Sequence, residues 1–493
     1  MKKLLVLALM VVLASPAFAA IQNVKVSGDI TSSYLDRNNF GLDSLHGIDY
    51  VNDTISTTTP AGLKSQNVFM TQTRVRIDAD LSDNVSATVR LINERAWGSN
   101  PSQVNGTSSQ DGVDLDLAYV TLREFLYSPL TVTVGRQEFF FGNGLIIGGG
   151  PNEVTGGQFA GVANDLSLID SNDGIKAVLD YKPLTLTMFY YKEGQTLDSM
   201  RGLYDAHGAS GDAYGLNANY QLGDAMNTVV EGYLFSRIDG DNFASEGSYA
   251  GGGVYAPVYN AADKGDTLYV PGLRASTNPI KGLNVQGELA WQLGNHPVTV
   301  GTTQEAEHRD AMAAQALASY SLPVLEKYKP AVNASFTYVS GDKNGDTNYG
   351  ADSVKSAKKD TAWDQFDKSQ NAGTIYDSLF PLTNMYIYSL GASMAPLEDV
   401  TVAASWSDII SATKFGDSNP LYLMQPNSDV VVPVAGNHKA TGLGNEYDVN
   451  IGYAYTEDVT FGVSLGWFVA GSAFSDVNRG TASQAMADVK VAF

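Results

Sequence analysis

The sequence predicts an all-β protein, a transmembrane up-and-down antiparallel β-barrel of about 18 strands. Three observations predict this fold. Short segments alternate between apolar and polar residues, short turns alternate with long loops, and the alternation continues to the last residue, Phe493. An alternating segment is a strand with one apolar and one polar face. Many such strands in succession, all with the same kind of apolar face, indicate one large sheet.

The first twenty residues, MKKLLVLALMVVLASPAFAA, have the pattern of a secretory signal peptide. Two lysines precede an apolar run from Leu4 to Ala14, and small residues mark a cleavage site after Ala19. The run is too short to cross a bilayer. We therefore predict a signal peptide over residues 1–19 and a single outer-membrane β-barrel domain over residues 20–493.

The clearest strand is LNVQGELAWQL, which begins at Leu283. Leucine, valine and tryptophan occupy one face, and asparagine, glutamine and glutamate occupy the other. The same alternation predicts strands over Val24–Tyr34, Phe69–Leu81 and Val459–Val469, and at the end of the chain. After the signal, no apolar stretch approaches the roughly 20 residues that a spanning helix needs.

The connections between strands are of two kinds. Eight are short turns: LSDNV at Leu81, YSPL at Tyr127, YKPL at Tyr181, LGDAMN at Leu222, NPIKG at Asn278, PVLEKYKP at Pro323, APLED at Ala395 and YTEDV at Tyr455. Nine are longer and rich in Gly, Asn, Asp and Ser: Asn38–Gln66, Gly98–Gly112, Phe139–Ser171, Glu193–Gly211, Asp239–Gly265, Gly294–Asp310, Gly341–Asn384, Ser411–Gly444 and Ser472–Gly480. Short turns at one end and long loops at the other are typical of outer-membrane barrels.

The apolar faces have aromatic residues near their ends, which suits the two interfacial girdles of a lipid-facing wall. Because lipid offers no hydrogen bonds, the first and last strands must pair with each other. We expect Phe493 to lie at the periplasmic interface, where a terminal aromatic resembles the signal recognised by the outer-membrane assembly machinery. The expected partners are this machinery, outer-membrane lipid and lipopolysaccharide, and small-molecule or oligosaccharide solutes.

The composition argues against several other functions. The chain has 31 Lys and Arg against 53 Asp and Glu, a net charge of −22, and it has no cysteine. Nucleic acid binding needs a basic surface, so we expect no nucleic acid partner. All five histidines fall in predicted loops without metal-ligand spacing. DKNGDTN, from Asp342, starts like a calcium loop but lacks the glycine and the glutamate that such a loop requires. We predict no enzyme activity, no catalytic residue, no metal and no cofactor.

Several stretches resemble the alginate export porin family. AYVTLREFLYSPLTVTVGRQEFFFG, from Ala118, is similar to a strand, turn, strand and Gly-Arg-Gln-Glu hallmark of that family. Resemblance extends to DGIKAVLDYKPLTLTMFYY from Asp173, YVSGDKNGD from Tyr338, YDSLFPLTNMY from Tyr376 and NEYDVNIGYAYTEDVTFGVSLGWF from Asn445. The resemblance implies an eighteen-stranded outer-membrane porin more firmly than it implies a substrate. After Gly142 the charged residues usual in the family are replaced by NGLIIG, residues 143–148, so part of the charge expected to meet a polyanion is missing there.

A barrel of this size encloses a lumen too wide for side chains to fill, so water enters it. The polar faces supply the candidates for pore lining and selectivity: Arg74, Arg76, Asp78, Arg90, Glu94 and Glu288. Arg136 matches a family position associated with the pore. However, it follows Val132 and Val134 at two-residue spacing, which places it on the outward face unless the strand bulges or ends there. Charged tracks govern which ions pass a pore. The alternative is that these residues are merely paired and solvated.

The stretch FFFGNGLIIGGGPNEVTGGQFAGV, residues 139–162, is too apolar for a loop in water. We expect it to fold into the barrel mouth as a constriction, and packing on a neighbouring loop or subunit is the alternative. Its candidate constriction residues are Phe139, Phe140, Phe141, Leu145 and Ile146. The predicted function is passive diffusion of small hydrophilic solutes, anionic or saccharide solutes included. The alternative is a surface-exposed binding or adhesion barrel with a plugged lumen and ligand-binding extracellular loops.

Overall fold

The computed structural model describes residues 23–43, 50–51, 54–55, 63–98, 112–148, 162–192, 211–239, 266–300, 303–342, 359–366, 373–414, 421–426, 428–434 and 440–493. Eighteen antiparallel strands form one closed sheet. They are β1 (Asn23–Asn38), β2 (Ser65–Ser82), β3 (Val85–Ala96), β4 (Asp114–Leu122), β5 (Leu130–Gln137), β6 (Asn172–Asp180), β7 (Leu184–Lys192), β8 (Gly211–Gln221), β9 (Val229–Asp239), β10 (Thr267–Ile280), β11 (Leu283–Val300), β12 (Thr303–Ser321), β13 (Ala331–Val339), β14 (Met385–Leu397), β15 (Val400–Ser411), β16 (Gly442–Ala454), β17 (Val459–Ala470) and β18 (Thr481–Ala492). The predicted fold class and strand number are confirmed.

Each strand pairs with its neighbours in sequence, and β18 pairs with β1 to close the barrel. The ladder runs from Asn38 opposite Ser483 to Asp29 opposite Ala492. Phe493 extends the seam, since its N–H donates to Gly28 O at 3.0 Å and the Gly28 N–H donates to Phe493 O at 2.8 Å. The backbone groups of the last residue are therefore paired, as a closed sheet in lipid requires.

The outward face is apolar and the inward face is largely polar. On β11, Leu289, Trp291 and Leu293 are exposed on the outside, whereas Glu288 and Gln292 are buried on the inside. Exposed aromatic residues form a belt at each end of the barrel: Tyr127, Tyr220 and Tyr455 near the short turns, and Trp97, Tyr388 and Trp467 near the long loops. Two aromatic belts flanking an apolar band are the surface expected in contact with a bilayer.

The eight short turns join consecutive strands at the predicted places. Local hydrogen bonds explain one of them. In the β8–β9 turn, Asp224 accepts hydrogen bonds from the Thr228 hydroxyl at 2.6 Å and the Thr228 N–H at 2.7 Å. These bonds stabilise the ionised form and hold the pKa of the Asp224 carboxyl below its usual range.

The loop predicted over Gly294–Asp310 is wrong. β11 continues to Val300 and β12 begins at Thr303, so both strands extend beyond their neighbour β10, whose first residue pairs with Asn295. Both faces of the segment carry polar residues and neither is wholly apolar, so the alternation that predicts a strand is missing. His296 and His308 consequently lie on strands rather than in loops, which corrects the prediction for these two histidines. His46, His207 and His438 lie outside the described residues, as does most of the DKNGDTN stretch.

Other elements are short. They are an α-helix, α1 (Tyr376–Leu379), three 3-10 turns (Asn164–Leu166, Glu326–Tyr328 and Asp476–Asn478), hairpins of Tyr50–Val51 with Thr54–Ile55 and of Leu421–Gln425 with Ser428–Val434, and Lys359–Asp360, which adds in parallel beside β12. Within the described ranges, no helix has the length and hydrophobicity needed to cross a membrane.

The hydrophobic core lies inside the barrel, where loop segments pack on inward-facing strand residues. Buried loop residues include Phe40, Ile147, Tyr376, Phe380 and Phe474. They share one cluster with Phe189, Phe235, Ile387 and Phe468 of the strands. The described segments of the long loops therefore turn into the lumen and narrow it.

Candidate functional site: the lumen and its constriction

A charged wall lines the lumen on β1 and β2. The two-residue period directs alternate residues inward, and the register brings Asp29 opposite Arg74. Arg74 donates to both carboxylate oxygens of Asp29, at 2.9 and 3.0 Å. Arg76 donates in the same way to Asp78, at 2.8 and 2.9 Å. These side chains are partly exposed, and every arginine on this wall has a carboxylate partner.

A β-bulge adds a residue that the alternation could not predict. The pairing of β3 with β4 shifts between Arg90 and Leu91, which face Leu117 and Leu115 respectively. The extra residue is Asp116, and its fully buried carboxylate contacts the Arg90 guanidinium. Arg90 also donates to Glu138 at 2.5 Å. A bulge changes the parity of a strand, so a strict period-two reading misses Asp116.

Glu94 faces inward but is completely buried. It accepts hydrogen bonds from the Leu168 N–H at 2.7 Å, the Ser167 hydroxyl at 2.8 Å and the Gln72 amide at 2.9 Å. Its carboxylate therefore holds the returning half of the β5–β6 loop against the wall. No local pattern in the sequence marks this loop contact, because Ser167 and Leu168 lie more than 70 positions after Glu94.

Arg136 lies on the outward face. It pairs with Ala118 and Asp173 at the end of β5, on the same parity as Val134, and its guanidinium donates to Asp173 at 3.3 Å. The structure thus separates Arg136 from the inward-facing arginines. Neither a bulge nor the strand end turns it into the lumen.

Glu288 belongs to a buried cluster on the wall opposite β2. It accepts a hydrogen bond from the Tyr233 hydroxyl at 2.6 Å, and Arg274 lies between this pair and Glu231. Arg274 also donates to Asn143 at 2.9 Å. The cluster therefore ties the apolar loop segment after β5 to the wall.

The described part of the predicted constriction, residues 139–148, packs inside the barrel. Phe139, Leu145 and Ile146 are buried, Phe141 is partly buried, and Phe140 is exposed. Phe139 contacts Tyr191 with ring centroids 4.7 Å apart, and Phe141 contacts Phe189 at 5.0 Å. Residues 149–161 lie outside the described residues.

Further loop segments narrow the lumen from other sides. Asp165 accepts hydrogen bonds from Arg37 of β1 at 2.5 Å and from the Ser378 hydroxyl of α1 at 2.8 Å. Glu446 of β16 accepts the N–H groups of Ile375 and Tyr376, at 2.8 and 2.5 Å. These contacts join the β5–β6 and β13–β14 loops inside the barrel, and sequence reasoning did not identify them.

A second anchor holds residues 363–366 of the β13–β14 loop. Arg237 donates to the Phe366 carbonyl at 2.9 Å and to Asp364 at 3.0 Å. Arg309 contacts the same Asp364 carboxylate at 2.7 Å. Both arginines are almost fully buried, so they position the loop and are not available to a passing solute.

The wall formed by β13, β14 and β15 differs from that of β1 and β2. Its inward positions carry hydroxyl, amide and apolar side chains and no charged residue. Thr337 accepts a hydrogen bond from Gln315 of β12 at 3.1 Å, and the hydroxyls of Ser389 and Ser407 lie 2.8 Å apart. The lumen therefore presents paired charges on one side and neutral hydrogen-bonding groups on another. No group of three or more potential metal ligands occurs among the described residues.

Two sequence profiles match the chain. The profile described as Gram-negative porin covers residues 6–323, and the profile described as alginate export covers residues 259–488. The stretches from Ala118 and Asp173 that carry the family resemblance lie in the first match, and those from Tyr338, Tyr376 and Asn445 lie in the second. No curated protein matches the chain by sequence.

Solved structures share the fold. A BenF-like porin from Pseudomonas fluorescens Pf-5 superposes with a TM-score of 0.53 at 9% identity, covering 96% of this chain and 99% of that chain. The outer membrane protein OprD from Pseudomonas aeruginosa gives a TM-score of 0.51 at 11% identity, with coverage of 96% and 94%. OccK8 (OprE) from Pseudomonas aeruginosa gives 0.50 at 11% identity, with coverage of 96% and 98%.

Proposed function

The chain belongs to the Gram-negative porin family, and from this premise we propose that it is an outer-membrane channel for passive diffusion of small hydrophilic solutes, with saccharides and small anions as the preferred class. The barrel removes the hydrophobic barrier, so transport requires no chemical step. Selection among solutes then depends on the width of the constriction and on the groups that line it.

The observation that carries this proposal is the difference between the two walls. Arg74 and Arg76 remain partly exposed beside their aspartates and can contact an anionic group. The uncharged wall offers exposed or half-buried amide and hydroxyl groups, those of Asn333, Ser335 and Ser393, that can hydrogen-bond the hydroxyls of a sugar. Because Asp29 and Asp78 neutralise the two arginines, we expect a weak anion preference rather than a strict one.

Reversal potentials in a planar bilayer test this assignment. Arg74→Glu combined with Arg76→Glu should shift permeability toward cations, and Asp29→Asn combined with Asp78→Asn should shift it toward anions. Arg136→Glu is the matched control, since this arginine faces outward and should leave the reversal potential unchanged. Unchanged potentials in both lumen variants would refute the assignment.

The contact between Asp165 and Ser378 favours a second candidate, a binding or adhesion barrel whose lumen is closed by its own loops. The same experiment separates the two functions. A diffusion channel gives stable single-channel currents, whereas a plugged barrel remains silent when inserted.

We further propose that residues 1–19 are a signal peptide and that residues 20–493 form one domain. Phe493 is proposed as the assembly signal read by the outer-membrane machinery. This proposal is supported by the position of Phe493, whose ring is exposed at the short-turn end of the seam.

A further inference from the structure

Four charged residues form a continuous row on the outward face of the barrel. They are Arg136 of β5, Asp173 of β6, Lys192 of β7 and Asp212 of β8, and we call them the rim row. Each is the cross-strand partner of the next. Arg136 contacts Asp173 at 3.3 Å, and Lys192 contacts Asp212.

The rim row lies at the upper edge of the lipid-facing surface. Each member lies within two residues of the strand end that leads into a long loop. Three of these strands have an apolar or aromatic outward residue two positions further along the strand, toward the middle of the membrane. These residues are Val134, Ile175 and Tyr214, and all three are exposed. The charges therefore begin where the apolar band ends, which is the level of the lipid headgroups.

The row is local, and its side chains are held by contacts with one another and with neighbouring rings. Ala118 precedes it opposite Arg136, and Ile238 follows it opposite Asp212. The Tyr190 hydroxyl donates to Asp212 at 3.0 Å, and the Tyr190 ring lies 5.1 Å from that of Tyr214. Side chains already held by ion pairs and rings lose little conformational entropy when they bind a ligand.

We propose that the rim row is a binding site for lipopolysaccharide, the phosphorylated glycolipid of the outer leaflet. Arg136 and Lys192 would contact its phosphate groups, because guanidinium and ammonium groups form charge-assisted hydrogen bonds with phosphate. Asp173 and Asp212 would contact the divalent cations that bridge neighbouring phosphates, since such cations prefer carboxylate oxygen. The headgroup layer contains anionic phosphates and divalent cations. It therefore complements a row that contains two basic and two acidic side chains.

Native mass spectrometry of the detergent-solubilised full chain, titrated with purified lipopolysaccharide and Mg²⁺, tests the proposal. Arg136→Gln combined with Lys192→Gln should weaken binding about tenfold or more. In the unaltered protein, EDTA should weaken lipopolysaccharide binding by removing the bridging cations. Asp173→Asn combined with Asp212→Asn should weaken binding to the same extent, and EDTA should then have no further effect. Lys281→Gln combined with Lys329→Gln, at exposed turn positions on the opposite end, is the control and should bind as the unaltered protein does.

Equal affinity in all three double variants would overturn the proposal. So would a change from oligomer to monomer in the Arg136 and Lys192 variant without a change in lipopolysaccharide affinity, because the row would then be a contact between copies of the chain. Single-channel currents in lipopolysaccharide-free bilayers report the channel function separately, so failure of one proposal is distinguishable from failure of the other.

Discussion

At the scale of single residues, Gly215 determines how closely the constriction packs on the wall. A Cβ atom at this position would lie 2.0 Å from the Phe189 ring and 2.7 Å from Phe235. Both rings contact Phe141 of the constriction segment. The absence of a side chain at Gly215 therefore gives the rings room to support that segment.

Gly215→Ala should destabilise the folded barrel by about 1–3 kcal/mol, the usual effect of overpacking. The measurement is the urea concentration at which half of the barrel is unfolded in detergent, monitored by tryptophan fluorescence. Gly232→Ala is the matched control, because its Cβ would meet only Leu273 at 3.4 Å. Equal midpoints for the two variants would contradict the packing argument.

The face of the sheet on which a side chain lies was predictable where the strand is regular. The inward positions of Arg74, Arg76 and Asp78 follow from period-two alternation, because one slip would place charges in lipid. Asp116 was not predictable, since a bulge interrupts the period. The roles of Glu94 and Glu288 were not predictable either, because their partners come from distant loops and strands and leave no local pattern.

At the scale of elements, the β13–β14 loop is held inside the barrel by a few charged side chains. Glu446 accepts two backbone N–H groups at the start of α1. A hydrogen bond typically contributes about 0.5–1.5 kcal/mol to stability. Glu446 therefore helps to hold the start of α1 inside the barrel, together with the Arg237 and Arg309 anchor of the same loop.

Glu446→Gln should undock the loop more often, because both carboxyl oxygens accept a backbone N–H and an amide has only one acceptor oxygen. We expect larger current fluctuations in the open state, measured on single channels under constant voltage. Asp408→Asn serves as the control, since Asp408 faces outward beside Tyr388 on the neighbouring strand. Fluctuations that match those of the control would show that Glu446 does not hold the loop.

The strands within the bilayer were predictable, whereas the projecting hairpin of β11 and β12 was not. Inside the bilayer one face must be apolar, so the alternation is strong from Leu283 to Leu293. Beyond Gly294 neither face is wholly apolar, so the alternation that marks a lipid-facing strand is lost. The inward folding of the long loops likewise left no clear signal, except in the apolar run after Phe139.

At the scale of the whole molecule, the seam between β1 and β18 closes the sheet and ends at Phe493. The aromatic ring lies against Gly28, where a Cβ atom would be 2.7 Å from the ring and 2.5 Å from the Arg74 carbonyl. The closure itself uses only backbone groups of Phe493. The ring is therefore not required to pair the strands.

Phe493→Ser should fold with nearly normal yield when diluted from urea into detergent, because the seam bonds remain. In cells the amount of assembled barrel should fall several-fold, measured as the heat-modifiable band on gels of outer-membrane fractions. Phe461→Ser is the control, since Phe461 is also an exposed aromatic residue, 43% against 59% for Phe493, and lies at the same end of β17. A similar loss in the control, or no loss in either, would refute a specific role for the terminal ring.

The same seam has a practical consequence for work with this protein. An affinity tag fused after Phe493 would continue the chain from a backbone already bonded to Gly28, and the aromatic residue would no longer be terminal. Under the proposal that Phe493 is the assembly signal, we expect a purification handle at this end to lower the amount of assembled barrel, so an expression vector for this chain should carry its tag elsewhere.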